Sequence, residues 1–156
     1  MKENTHLAGR FVLELLDAAT GKPVWRQELK NQLTTLNQTT RAQLLLGTLT
    51  DASQLKIKYF GFGTSGTAAK ATDTALNAEV YRKQVTQISQ TSSDIVQSVC
   101  SLGAGEGNFN IREIGVFCGS ATAEAGTGTL LSRVVTNIEK NSNLILNIIR
   151  QDICTI

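Results

Sequence analysis

The feature that most limits the folds open to this chain is a series of short segments in which apolar and polar residues alternate one by one, each closed by a cluster rich in Gly, Asn, Asp or Ser. Successive side chains of a β-strand point to opposite faces, so this alternation describes half-buried strands. The first pair is the clearest. Phe11, Leu13 and Leu15 alternate with Val12, Glu14 and Leu16, a break follows from Asp17 to Lys22, and Val24, Arg26 and Glu28 then alternate with Trp25, Gln27 and Leu29. Asp17 and Gly21 supply turn chemistry at the two ends of the break, which predicts a β-hairpin within residues 9–31. Pro23 sits at the start of the second strand, where a missing N–H is tolerated.

Residues 36–46 read differently. Leu36, Thr40, Leu44 and Leu45 approach helical spacing, Thr34 or Thr35 can cap, and Gly47 can end the helix in the left-handed conformation. A strand is expected from Leu55 to Phe60, ending in a flexible loop at Gly61-Phe62-Gly63-Thr64-Ser65-Gly66. Residues 67–76 are small and polar, too weakly apolar for core, and predict an ordered surface loop. Four more strands are expected at 82–90, 94–102, 109–117 and 129–138. A last and most apolar one, 143–153, is expected at a sheet centre. The Gly-rich stretches 103–108 and 119–128 are expected as exposed loop tips. The sum is a mainly β chain of seven or eight strands: an antiparallel β-sandwich with an N-terminal β-hairpin and one short α-helix, forming a single domain over 1–156. Abundant Thr, Ser, Asn, Gln, Gly and Ala with few aromatics fit many short strands joined by polar turns.

Charge and cysteine content exclude several classes of function. The formal net charge is +2, and Lys and Arg are scattered, so no electrostatic footprint for nucleic acid or an anionic membrane is present. Cys100, Cys118 and Cys154 are widely spaced, in no CxxC or Cys/His arrangement, and are read as free thiols rather than metal ligands. The opening MKENTHLAGR is polar and is not expected to act as an export signal, and the apolar runs are too short to span a bilayer. The sequon Asn37-Gln38-Thr39 is expected to be idle for the same reason.

Apparent catalytic motifs fail on context. Gly61 to Gly66 satisfies GxGxxG, but no βαβ unit follows, Asp73 arrives too soon to bind a ribose, and Thr67 stands where a P-loop has lysine. The one histidine, His6, lies in a polar N-terminal segment expected to be mobile, far from any nucleophile pattern. Glu79, Glu106, Glu113 and Glu124 are formal candidates for a carboxylate pair. Two of them sit in Gly-rich loops and two have an arginine within three residues, which favours structural roles. No cofactor or metal is expected, and the chain is read as non-enzymatic. The residues singled out are Glu79 with Arg82 and Arg112 with Glu113, as ion pairs or partner contacts near apolar strands, and Trp25, as core or interface anchor.

Taken in order, several segments resemble small structural proteins of tailed bacteriophages. They are the hairpin Phe11 to Val24, the turn and helix start Lys30-Asn31-Gln32-Leu33-Thr34, and the GxGT strand end Gly61-Phe62-Gly63-Thr64. The stretch from Asp73-Thr74-Ala75-Leu76 to Glu79-Val80-Tyr81-Arg82 follows. Ile111-Arg112-Glu113-Ile114-Gly115-Val116-Phe117 is similar to segments of phage tail-fibre and tail-collar proteins, and Leu131-Ser132-Arg133-Val134 precedes an apolar last strand. The resemblance implies a virion component, made in the bacterial host cytoplasm, that acts by symmetric self-association and by docking on other virion proteins in the tail, baseplate or fibre-attachment region. An alternative implied place is the capsid surface, as a decoration or cement protein on the major capsid protein. A third reading, a carbohydrate-binding adhesin, asks for aromatic platforms, and aromatics are only 5% of this chain. The N-terminal hairpin, residues 1–31, is expected to reach toward a partner.

Overall fold

The computed structural model describes residues 7–154, and the side chains of 9–153. His6 therefore lies outside the described residues, as does the Cys154 side chain. The strands are β1 (Leu7–Asp17), β2 (Pro23–Lys30), β3 (Gln32–Leu33), β4 (Tyr59–Gly63), β5 (Glu79–Gln84), β6 (Gln87–Ser92), β7 (Ile95–Leu102), β8 (Asn110–Cys118), β9 (Thr129–Glu139) and β10 (Leu144–Cys154). One helix, α1 (Thr35–Leu45), and a 3-10 turn, Ala52–Leu55, lie between β3 and β4. The strands form two five-stranded antiparallel sheets, one ordered β2-β1-β10-β7-β6 and the other β3-β9-β8-β4-β5. They face each other as a sandwich, as the alternation predicts, with ten strands rather than seven or eight.

Alternate residues of each strand fill the space between the sheets. Phe11, Leu13 and Leu15 of β1 meet Leu146 and Ile148 of β10, Cys100 and Leu102 of β7, and, from the other sheet, Phe60, Phe62, Ile114, Val116 and Val134. The apolar β10 is the middle strand of its sheet, as expected. Trp25 and Leu29 of β2 pack half-buried against this core. The first hairpin forms with its turn as read: Asp17 Oδ1 accepts from the Ala19 and Thr20 amides, and Gly21 adopts a left-handed φ of 69°. It does not project from the body, however. β1 pairs with β10 from Leu7 to Asp17, because its apolar face belongs to the shared core, and only β2 lies at an edge.

Helix α1 begins and ends where its signals lie. The Thr34 hydroxyl accepts from the Asn37 amide and donates to the Leu130 carbonyl at 2.6 Å, so the cap also fastens the helix to β9. Gly47, at a φ of 71°, follows its end. The buried residue of this helix is Asn37, not a leucine; its amide donates to the Leu131 carbonyl. Polar anchoring therefore holds the helix, and Leu45 and Leu46 remain 89% and 76% exposed.

Three expectations are corrected. The GxG segment is not a loop: Tyr59–Gly63 is strand, whereas Leu55 closes the 3-10 turn. Residues 82–90 are not one strand. The chain crosses from one sheet to the other at Val85 and Thr86, so β5 and β6 lie in different layers. Finally, the loop before β5 does contribute core, because Leu76 is buried among Phe117, Ala121 and Leu130.

Candidate functional site

The segments that stand out in the sequence converge on the outer face of the β3-β9-β8-β4-β5 sheet. In β4, Phe60 and Phe62 face the sandwich interior, so Gly61 and Gly63 face outward. The register sets Gly61 of β4 opposite Arg82 of β5 on one side and Gly115 of β8 on the other, with Arg133 of β9 opposite Gly115. Two arginines thus flank a pair of glycines across four strands. The absence of side chains at the glycines leaves a trough, and residues 64–78 cross it as a strap. Leu76 fills the trough: a Cβ on Gly115 would stand 2.7 Å from Leu76 Cδ2, and one on Gly61 3.1 Å from Leu76 Cδ1. At Gly63 the strap backbone itself comes so close that a Cβ would meet the Ala78 carbonyl oxygen. The glycines of this GxG therefore serve close approach, with no phosphate to cradle.

A buried charged group fixes the strap to the sheet. Glu113 and Arg133 are fully buried. Arg133 Nε donates to Glu113 Oε2 at 2.8 Å, Nη1 to Asp73 Oδ2 at 3.1 Å and Nη2 to the Thr67 carbonyl at 2.8 Å. Glu113 also accepts from the strap amides of Asn77 and Ala78 at 3.0 and 2.7 Å. A buried ion pair is tolerable only when its remaining donors and acceptors are satisfied, and here they are. Just beyond the strap, in β5, Arg82 is clamped through Nε and Nη2 by both carboxylate oxygens of Glu79. It donates from Nη1 to the Thr127 carbonyl at 2.8 Å and stacks 3.9 Å over the Phe117 ring. This arginine ties loop 119–128 to the sheet at Thr127, while residues 122–126 are exposed, as expected.

Of the residues singled out by sequence, Glu79, Arg82 and Glu113 meet at this node. Glu79 and Arg82 pair with each other as read. Glu113 pairs with Arg133, one strand away, and not with Arg112. Among the described residues Arg112 makes no ion pair, and it packs against Gly66. Trp25 is elsewhere, in the edge strand of the other sheet. The sequence reading missed Asp73, Leu76 and Arg133. A signal for the first two was present: Asp73, Leu76, Glu79 and Arg82 recur every third residue, and each touches the trough or its arginines.

A second polar anchor lies at the loop between β7 and β8. Glu106 accepts from Lys83 Nζ, from the Tyr81 hydroxyl at 3.3 Å and from the Gly103 amide at 2.9 Å. The Lys83 hydrogen bond foremost holds its carboxyl below the usual range, and the same bond raises the Lys83 ammonium. Burial pushes the Cys100 thiol up to about 12 and the Cys118 thiol up to about 11, so neither presents a nucleophilic thiolate at neutral pH.

With its charges paired and its trough filled by Leu76, the arrangement can brace a surface. Among the described residues no cluster of His, Cys, Asp and Glu is placed to hold a metal ion, and no helix is long and apolar enough to cross a membrane. The model of the phage tail-collar fibre protein N-terminal family matches residues 29–123, which include α1, the GxG strand, the strap and β8. No curated protein and no solved structure matches the chain.

Proposed function

Because this chain belongs to the phage tail-collar fibre protein family, whose members are structural proteins of the phage tail, we propose that it is a non-enzymatic tail component that works by self-association and by docking on neighbouring tail proteins. The family match carries this reading, and the position of the match gives it physical content. The matched segments supply the strap and strands β3, β4, β5 and β8 of a braced sheet face that β9, with Arg133, completes from outside the match; such a rigid surface is what a mechanical assembly needs. Two further features support self-association. The eight-residue edge strand β2 has one side of its backbone unpaired, and Val24 on it and Val80 on the edge strand β5 are each 58% exposed. Edge strands of this kind pair readily with another chain. Symmetric closure into a ring would keep such pairing from running on without limit.

Gold-labelled antibody against the purified protein, applied to intact particles, tests the proposal. Label confined to the tail, at the collar, baseplate or fibre attachment, is the expected result. Label spread over the head would replace it with capsid decoration, and binding of the isolated protein to host-surface glycans would favour an adhesin.

A further inference from the structure

Helix α1, the end of the 3-10 turn with the segment that follows it, and strands β7, β9 and β10 line a half-open cavity of about 280 Å³. Most of its wall is aliphatic, including Leu55, Ile57 and Leu131, but Arg41, Arg150 and Asp152 also line it. Two guanidinium groups thus stand against one carboxylate. Arg150 is fully buried; its Nη2 donates to Asp152 Oδ1 at 2.7 Å, while Nε and Nη1 have no partner among the described residues. Buried donors are ordinarily paired, and leaving one unpaired is destabilising. A fold that keeps two on a single arginine retains an unmet demand for an acceptor.

Arg41 is held ready on the helix side. Its Nε donates to Asn37 Oδ1 at 2.6 Å, and Asn37 is fixed in turn by the Leu131 carbonyl. Among the described residues Arg41 makes no ion pair. At the C-terminal end of the helix, one turn beyond Arg41, come Leu44, which lines the cavity, and the exposed Leu45 and Leu46. A cationic recess therefore adjoins an exposed apolar ridge.

We propose that this cavity is a socket for the carboxylate side chain of an Asp or Glu borne on an apolar segment of a partner protein, with Arg150 and Arg41 binding the carboxylate and Leu44, Leu45 and Leu46 covered by the flanking apolar residues. Guanidinium groups match carboxylates in geometry as well as charge, and the aliphatic wall suits a side-chain stem better than a hydrated inorganic anion. That the partner is another tail protein rests on the function proposed above; the chemistry of the socket does not.

The test uses the full chain with isotope-labelled arginine, titrated with acetyl-Leu-Glu-Leu-amide, with acetyl-Leu-Gln-Leu-amide and with sodium phosphate, reading the arginine Nε–H signals. The Glu peptide is expected to shift the Arg150 and Arg41 signals saturably. Binding should weaken roughly ten-fold for the Gln peptide, the loss of a charge-assisted bond being on the order of 1.4 kcal/mol. Arg150→Met should abolish the response. If that variant does not fold, Arg41→Gln and Leu44→Ser, at the more exposed side, should each weaken binding several-fold while leaving the backbone spectrum intact. A shift that does not saturate, equal affinity for the Gln peptide, an equal response to phosphate, or unchanged binding in Arg41→Gln would each overturn the socket. Saturable binding by a protein that antibody labelling places outside the tail would keep the socket and discard the tail partner. A tail location without saturable binding would do the reverse.

Discussion

Replacing Arg133 by methionine removes the group that anchors the strap to the sheet and is expected to be among the most damaging single changes in the chain. The side chain gives three hydrogen bonds, two of them to carboxylates. Its loss leaves Glu113 fully buried with only the Asn77 and Ala78 amides for company. Removing one partner of a buried pair costs about 3–5 kcal/mol, because the other charge is stranded. Asp73, only partly buried, can turn to water and adds little. For a domain of this size each kcal/mol corresponds to roughly 2–4 °C, so the fall in Tm is about 6–20 °C. Urea denaturation followed by circular dichroism measures the free energy, and a thermal scan the Tm. Arg133→Met combined with Glu113→Gln should be less unstable than the sum of the two single variants by about 1–3 kcal/mol, since no charge is then stranded. A single-variant loss below about 1 kcal/mol, or simple additivity within about 0.5 kcal/mol, would refute the strap as a coupled ionic unit.

Three further outcomes follow from the same structure. Gly115→Ala drives a methyl to 2.7 Å from Leu76 and 2.9 Å from Leu130 and should cost about 1–3 kcal/mol by overpacking, with partial recovery on adding Leu76→Val, as read by urea denaturation. The Glu106 carboxyl is lowered in the folded state from 4.5, so its contribution is present above that value and is lost as pH falls through its folded pKa. Glu106→Gln should therefore flatten the acid limb of a stability-against-pH curve and leave the slope at neutral pH unchanged. With their thiols pushed up to about 12 and about 11, Cys100 and Cys118 should resist alkylation at pH 8 in the folded protein and react once guanidinium unfolds it, as located by peptide mass spectrometry.

Much of the architecture is legible because its causes are local. The Asp17–Gly21 turn, the Thr34 cap, Gly47 and the alternation in β1, β7 and β10 each carry their conformation in a few neighbouring residues. The candidate site is legible only in part, because its causes are not local. Gly61-Phe62-Gly63 reads as a loop by composition; it is strand because Gly115 lies opposite Gly61 and Leu76 needs the space above both. Glu113 and Arg133 are twenty residues apart in sequence, and only the β8–β9 register brings them together, between two bulges, one on either side, that no alternation pattern predicts. Arg112 is the sequence neighbour of Glu113, yet it sits at the bulge between Ile111 and Glu113 and its guanidinium lies against Gly66, while Glu113 pairs with Arg133. The exposed Leu45 and Leu46 were readable as apolar positions, but their exposure depends on the helix being anchored through Asn37.

The most direct test of the central claim, that this is a tail structural protein, is its copy number in purified particles, measured by quantitative mass spectrometry against the major head protein. A ring or fibre attachment of closed symmetry predicts on the order of ten copies per particle. Hundreds of copies, in proportion to the head protein, would contradict the tail assignment.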